Sequence, residues 1–183
     1  MTCVVGLIQD GKIHMACDSA ASDDSSGIIM PRKDPKMFYV NEYLIGFSNS
    51  FRMGQILQHD FIPPKPTKRN LEKVMAIDFP SAIHEALERN KFSLTNTIDD
   101  TKDSDVCELI IGVHGRLFSM DTDFSIGEYH DPYFAIGSGY QYALGSLHTT
   151  QHIRTAKARL TKALEAATKF SMAVEAPYLY ETL

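Results

Sequence analysis

Met1-Thr2-Cys3-Val4-Val5-Gly6-Leu7-Ile8-Gln9-Asp10-Gly11-Lys12-Ile13-His14-Met15-Ala16-Cys17-Asp18 opens the chain and reads as a β-hairpin. Asp10-Gly11 suits a two-residue turn of the primed types, with strand formers on both sides. If Gln9 opposes Lys12, the ladder brings Thr2 beside Ser19 and one step diagonal from Asp18. Strict alternation puts Thr2 and Asp18 on opposite faces, so a hydroxyl and a carboxylate meet there only through a bulge or a bend at the strand end.

Thr2 matters by position. An N-terminal threonine carries its own base, because a free α-amine titrates near ~8 rather than near the ~10.4 of a lysine side chain. The initiator methionine is normally cleaved before a small residue, so ordinary processing would expose Thr2. The plain alternative is an edge hairpin with a polar end.

At 183 residues and 44% hydrophobic content the chain is expected to form one domain, 1–183, around one sizeable core. A formal charge of -5 argues against nucleic acid or an anionic membrane as a partner. With no signal-peptide pattern and no apolar run of about eighteen residues, a cytoplasmic location is expected. Cys3, Cys17 and Cys107 are an odd set, and alternation points the first two to opposite faces, so all three read as reduced core thiols.

Beyond Asp18, residues 19–27 are polar and turn-rich, a substrate-facing rim rather than a core strand. Asp34-Pro35 and Asn41-Glu42 bracket a second hairpin, Lys36 to Val40 and Tyr43 to Ser48. Lys36 stands at the head of its strand, where an ammonium can enter a cleft. Gly46 interrupts a buried strand and offers an amide to an oxyanion, or marks a close backbone approach. Helices are expected over about Ser50 to His59 and Pro80 to Lys91, with Ser50 as a cap and Pro80 in a first turn. Asn96 to Asp105 reads as a charged surface excursion. A third hairpin follows, Cys107 to Val113 and Arg116 to Met120 about His114-Gly115, then short strands at Phe124 to Ile126 and Tyr133 to Ile136.

Gly137-Ser138-Gly139 joins that last strand to a helical stretch, a turn that exposes a hydroxyl and leaves amides free. A long helix spans roughly Arg154 to Phe170, with Arg154, Lys157, Arg159 and Lys162 on a basic surface, and residues 171–180 return to the sheet. His148 and His152 share a helix face, but without a placed carboxylate they make no metal site. The order of strands and helices packs best as two sheets between helical layers.

The chain resembles the proteasome β-type and bacterial HslV-type subunits of the N-terminal nucleophile hydrolases over essentially its full length. The pieces that carry the likeness are Thr2 to Gly6 with Asp10-Gly11, Ala16-Cys17-Asp18-Ser19, Lys36 before Met37-Phe38, Leu44 to Phe47, and the run from Ala135 to Gly145 through the glycine-serine-glycine turn. The resemblance implies an α+β four-layer αββα sandwich and a threonine hydrolase. Thr2 would be the nucleophile and its α-amine the proton acceptor. Asp18 would orient and neutralise Lys36, Lys36 would bias the amine and hydroxyl toward attack, Gly46 would donate to the oxyanion and Ser138 would order water and the amine. Ala21 and Ser22 would hold an extended peptide. Lys33 is the rival lysine.

The resemblance also implies a peptide or other amide substrate, a homo-oligomeric ring and an unfoldase partner of unspecified identity, with no cofactor, no metal, no nucleic acid and no membrane. One departure stands out: where many relatives carry an Asp-Ser-x-Ser run, this chain has Phe170-Ser171-Met172-Ala173, and only Ser171 matches. Two alternatives to the peptidase therefore stay open, a noncatalytic assembly subunit and a small-molecule amidase or acyltransferase.

Overall fold

The opening hairpin forms in the register its turn dictates. β1 (Val4–Gln9) and β2 (Lys12–Cys17) pair antiparallel from Gln9 opposite Lys12 to Val4 opposite Cys17, with Asp10 and Gly11 at φ 53° and 72°. The computed structural model describes residues 2–23, 28–92 and 106–183, so Met1 and the expected excursion from Asn96 to Asp105 lie outside the described residues.

Strands add to both edges of the hairpin, β10 (Tyr133–Ile136) beside β1 and β11 (Leu179–Thr182) beside β2. The second hairpin, β5 (Met37–Val40) and β6 (Tyr43–Phe47), is extended by β7 (Leu109–Val113), β8 (Arg116–Met120) and β9 (Ile126–Glu128) into a five-stranded antiparallel sheet. β3 (Ala20–Asp23) and β4 (Ile28–Pro31) form a separate two-stranded ribbon.

Period-two alternation along the first hairpin sorts its side chains into two cores. Cys3, Val5 and Leu7 pack with Ala143, Leu147, Leu160 and Leu164 of α4 (Tyr140–Thr149) and α5 (Ala156–Phe170). The alternate residue Val4, with Ile13, Met15 and Cys17, meets Met37, Leu44, Ile110 and Leu117 of the five-stranded sheet. The far face of that sheet, including Phe38, Ile45, Phe47 and Ile111, packs on α1 (Phe51–Asp60) and α3 (Phe79–Arg89). The layers run helix, sheet, sheet, helix, the αββα sandwich expected. No helix among the described residues is long and apolar enough to cross a membrane.

Four local expectations differ from the structure. His152 lies beyond the end of α4 at Thr149, so it shares no helix face with His148. The helix ending at Arg89 begins well before Pro80: a turn α2 (Leu71–Lys73) runs into a π-helical turn, Val74–Asp78, which continues into α3. The wider turn breaks the 3.6-residue period that sequence reading follows, and Pro80 sits at its exit in the first turn of α3. Phe124 takes a left-handed turn conformation (φ 67°) instead of a strand, and β9 starts at Ile126. Arg159, expected on a basic surface, is 5% exposed, its guanidinium centred 5.9 Å from the Tyr133 ring and Nη2 donating to Leu147 O at 3.3 Å.

Candidate active site

β2 ends at Cys17, and the chain bends at Asp18 before entering β3. Asp18 N–H still reaches Cys3 O (3.2 Å), but its side chain folds back instead of following the alternation. Oδ1 accepts from Cys3 N–H (2.9 Å) and from Lys36 Nζ (2.8 Å), while Oδ2 accepts from Ala20 N–H (2.9 Å) and Glu175 N–H (3.4 Å). The bend thus turns the carboxylate to the residue after Thr2. Asp18 and Lys36 are both fully buried, and four donors around one carboxylate offset much of the desolvation a buried charge suffers. Lys36 is fixed at its own backbone as well, since its carbonyl accepts from Phe47 N–H at 3.0 Å. Lys33 is exposed.

The turn after β10 closes on Thr2 from the other side. Gly137 has φ 83°, and a Cβ there would lie 2.3 Å from Thr2 O, so both its conformation and the approach of the N-terminal segment require glycine. Ser138 Oγ accepts from Thr2 N (3.4 Å) and donates to Thr2 O (3.3 Å), and Gly139 N–H donates to the same carbonyl at 3.4 Å. Thr2 is 3% exposed, whereas Ser138 lies at the surface.

No family model matches the chain, and no curated protein matches it by sequence. Solved structures do match its fold from end to end. Thiobacillus denitrificans BPH, in complex with epoxomicin, superposes with a TM-score of 0.79 at 19% identity, over 100% of this chain and 98% of that one. Eukaryotic HslV from Trypanosoma brucei gives 0.68 at 18% identity, over 100% and 99%. Anbu, the ancestral β-subunit from Yersinia bercovieri, gives 0.67 at 16%, over 99% and 81%. The fold is that of the proteasome-like N-terminal nucleophile hydrolases.

Within this proteasome-like fold, one expected donor is in the wrong place. Gly46 lies inside β6, paired with Met37 on one side and Ile110 on the other. Its neighbour Phe47 donates toward β5, so by strand alternation the Gly46 N–H points at β7 and not at Thr2. A Cβ at Gly46 would sit 2.6 Å from Val4 Cγ1 and 2.9 Å from Met15 Cε, so this glycine serves the close packing of the two sheets.

Ser171 caps the end of α5: its N–H donates to Ala167 O (2.8 Å) and its Oγ accepts from Ala173 N–H (3.3 Å). Ala21 is half-buried in β3 opposite Met30, and Ser22 lies opposite Ile29 in the same ribbon. Nδ1 of His148 lies 3.0 Å from Tyr133 Oη, and among the described residues no group of three His, Cys, Asp or Glu side chains could hold a metal ion. The three cysteines are free and buried, and burial pushes the Cys17 and Cys107 thiols up to about 12 and the Cys3 thiol upward too.

Sequence reading missed Glu108. Its Oε2 accepts from Gly137 N–H (3.1 Å) and Ser48 Oγ (2.9 Å), and its carbonyl accepts from Ser48 N–H (3.0 Å). It thereby ties the end of β6 to the turn that contacts Thr2. The only signal in the sequence was a carboxylate at the head of an otherwise apolar strand, Cys107 to Val113.

Proposed function

We propose that this protein is an N-terminal threonine hydrolase of the peptidase type, active once Met1 has been removed. The observation that carries the reading is the buried Asp18–Lys36 pair suspended from the Cys3 amide. An ion pair with no solvent exposure brings little net stability over an apolar pair of similar volume, so its location behind Thr2 argues for an electrostatic task. In this mechanism Thr2 Oγ attacks the amide carbonyl and the Thr2 α-amine accepts the hydroxyl proton. Lys36 stabilises the negative charge that develops, and the Ser138 hydroxyl holds the amine in place. The leaving amine takes a proton as the acyl ester forms, and the Thr2 amine then activates the water that releases the acid.

With Gly46 facing β7, the oxyanion donor falls to the turn after β6. Asn49 has φ 71°, and Ser48 Cβ lies 3.3 Å from the empty Cβ position of Gly137, the same space Thr2 O enters. An extended peptide would lie along β3, which pairs only with β4 among the described residues, so that Ala21 and Ser22 offer backbone groups. A homo-oligomeric ring belongs to the same reading.

A noncatalytic subunit is favoured by one observation, that Ser171 Oγ serves the turn ending α5. The deciding experiment combines intact mass with trapping. Protein made in cells should lack Met1, and epoxomicin, the compound bound in the Thiobacillus structure, should add to Thr2, with adduct and peptide hydrolysis both lost in Thr2→Ala. An adduct mapped elsewhere, or hydrolysis by folded Thr2→Ala, overturns the mechanism. Met1-free protein with neither adduct nor turnover is the noncatalytic subunit.

A further inference from the structure

A cavity of about 340 Å³ opens between the two sheets, along β10 and its turn into α4. Its lining includes Glu108, Ser119, Asp121, Tyr129, Phe134 and Tyr140, and no basic side chain. The volume is at the low end for ligand sites, enough for one large side chain and too small for an extended peptide.

Its polar lining is two carboxylates and the hydroxyls of Ser119, Tyr129 and Tyr140, with no cationic group to balance the carboxylates. Both side-chain bonds to Glu108 fall on Oε2, which leaves Oε1 without a partner among the described residues. Ser119 is 9% exposed, and its hydroxyl has no hydrogen-bond partner among the described residues although it faces the cavity. At the rim, Asp121 Oδ1 accepts from Thr122 N–H at 2.6 Å, and Oδ2 is left for solvent. Tyr129 and Phe134 stack at 4.3 Å between centroids with 15° between planes, giving the wall an aromatic surface. Two carboxylates, a hydroxyl open to the cavity and aromatic rings match a group that is cationic, rich in N–H donors and carried on an apolar stem.

One end of the cavity wall leads toward Thr2. Ile136, in its wall, pairs with Val4, and the next residue, Gly137, abuts Thr2 O. We propose that this cavity is a subsite for a lysine or arginine side chain of the peptide presented to Thr2. The link to Thr2 rests on the hydrolase reading, whereas the pocket's preference for a cation does not.

The test separates the two by using Thr2→Ala protein, which lacks the nucleophile. Calorimetric titration with acetyl-arginine amide should show saturable binding, at least 10-fold tighter than acetyl-citrulline amide, which is uncharged and nearly the same shape. Asp121→Asn should weaken arginine binding about 5-fold and Ser119→Ala about 3-fold, with unfolding midpoints close to the parent. Equal binding of the two amides, no binding, or arginine binding unmoved by both substitutions overturns the subsite, whatever the hydrolytic activity. In wild-type protein a mixed peptide library should show basic residues enriched at one fixed position relative to the cleaved bond, and that enrichment should fall in Asp121→Asn. Cation binding in a protein that cleaves nothing would leave the pocket standing and remove the hydrolase.

Discussion

Thr2 is held between two regions of unequal character. On one side Asp18 and Lys36 are fully buried, joined at 2.8 Å, with Cys3, Ala20 and Glu175 completing the carboxylate's shell. On the other, Ser138 is exposed and its contacts with Thr2 are 3.3 and 3.4 Å long. The first region holds its charges fixed by the fold, the electrostatic preorganisation on which the proposed hydrolase would draw. The second keeps a hydroxyl at the surface, adjustable near water, as the proposed mechanism asks of Ser138. Glu108 lies behind the second region and gives its turn an anchor.

The widest gap between the regions should appear on breaking the buried pair. Lys36→Met leaves the Asp18 carboxylate buried without its cation and should destabilise the fold by about 3–5 kcal/mol, read from urea unfolding. Adding Asp18→Asn should restore a large part of that loss without restoring hydrolysis. If the single variant is as stable as the parent, the pair is not the rigid half of the comparison.

Glu108→Ala should have an intermediate effect. It strips Gly137 N–H and Ser48 Oγ of their acceptor, for about 1–3 kcal/mol of stability. Turnover should drop more than the stability loss explains, and Glu108→Gln, which keeps an acceptor oxygen, should recover much of the rate. Equal turnover in the Ala and Gln variants at full folding would confine Glu108 to a structural role.

Ser138→Ala should do least to stability, below about 1 kcal/mol by urea unfolding, because its bonds are long and solvent competes for them. Its cost should fall on kcat with KM nearly unchanged. A loss of stability comparable to that of Lys36→Met would erase the distinction between the two sides.

Much of the rigid region was legible in the sequence, because hairpin turns set registers. Asp10-Gly11 placed Gln9 opposite Lys12, and counting back along the ladder put Asp18 at the Thr2 end. The Asp34-Pro35 turn set Lys36 at a strand head, and in the fold Lys36 is buried whereas Lys33 is exposed. Gly46 was misread because a glycine in a strand signals either a free amide or a close approach, and only the facing residues, Val4 and Met15, decide between them. Arg159 was misplaced because its charge outweighed its spacing, three residues from Ala156 and four from Ala163 on the buried stripe of α5. Glu108 escaped notice because both of its side-chain partners, Ser48 and Gly137, come from distant segments, with nothing local to mark it.

The bond from Glu175 N–H to Asp18 joins residues 157 positions apart, Ser19 N–H returns a bond to Glu175 O, and Leu183 exchanges two backbone bonds with Ile13. A nascent chain can therefore form its opening hairpin early and still lack the last donor to the Asp18 carboxylate until residue 175 has cleared the ribosome. The buried Asp18–Lys36 corner thus receives its full set of donors only after the strands and helices around it have been made.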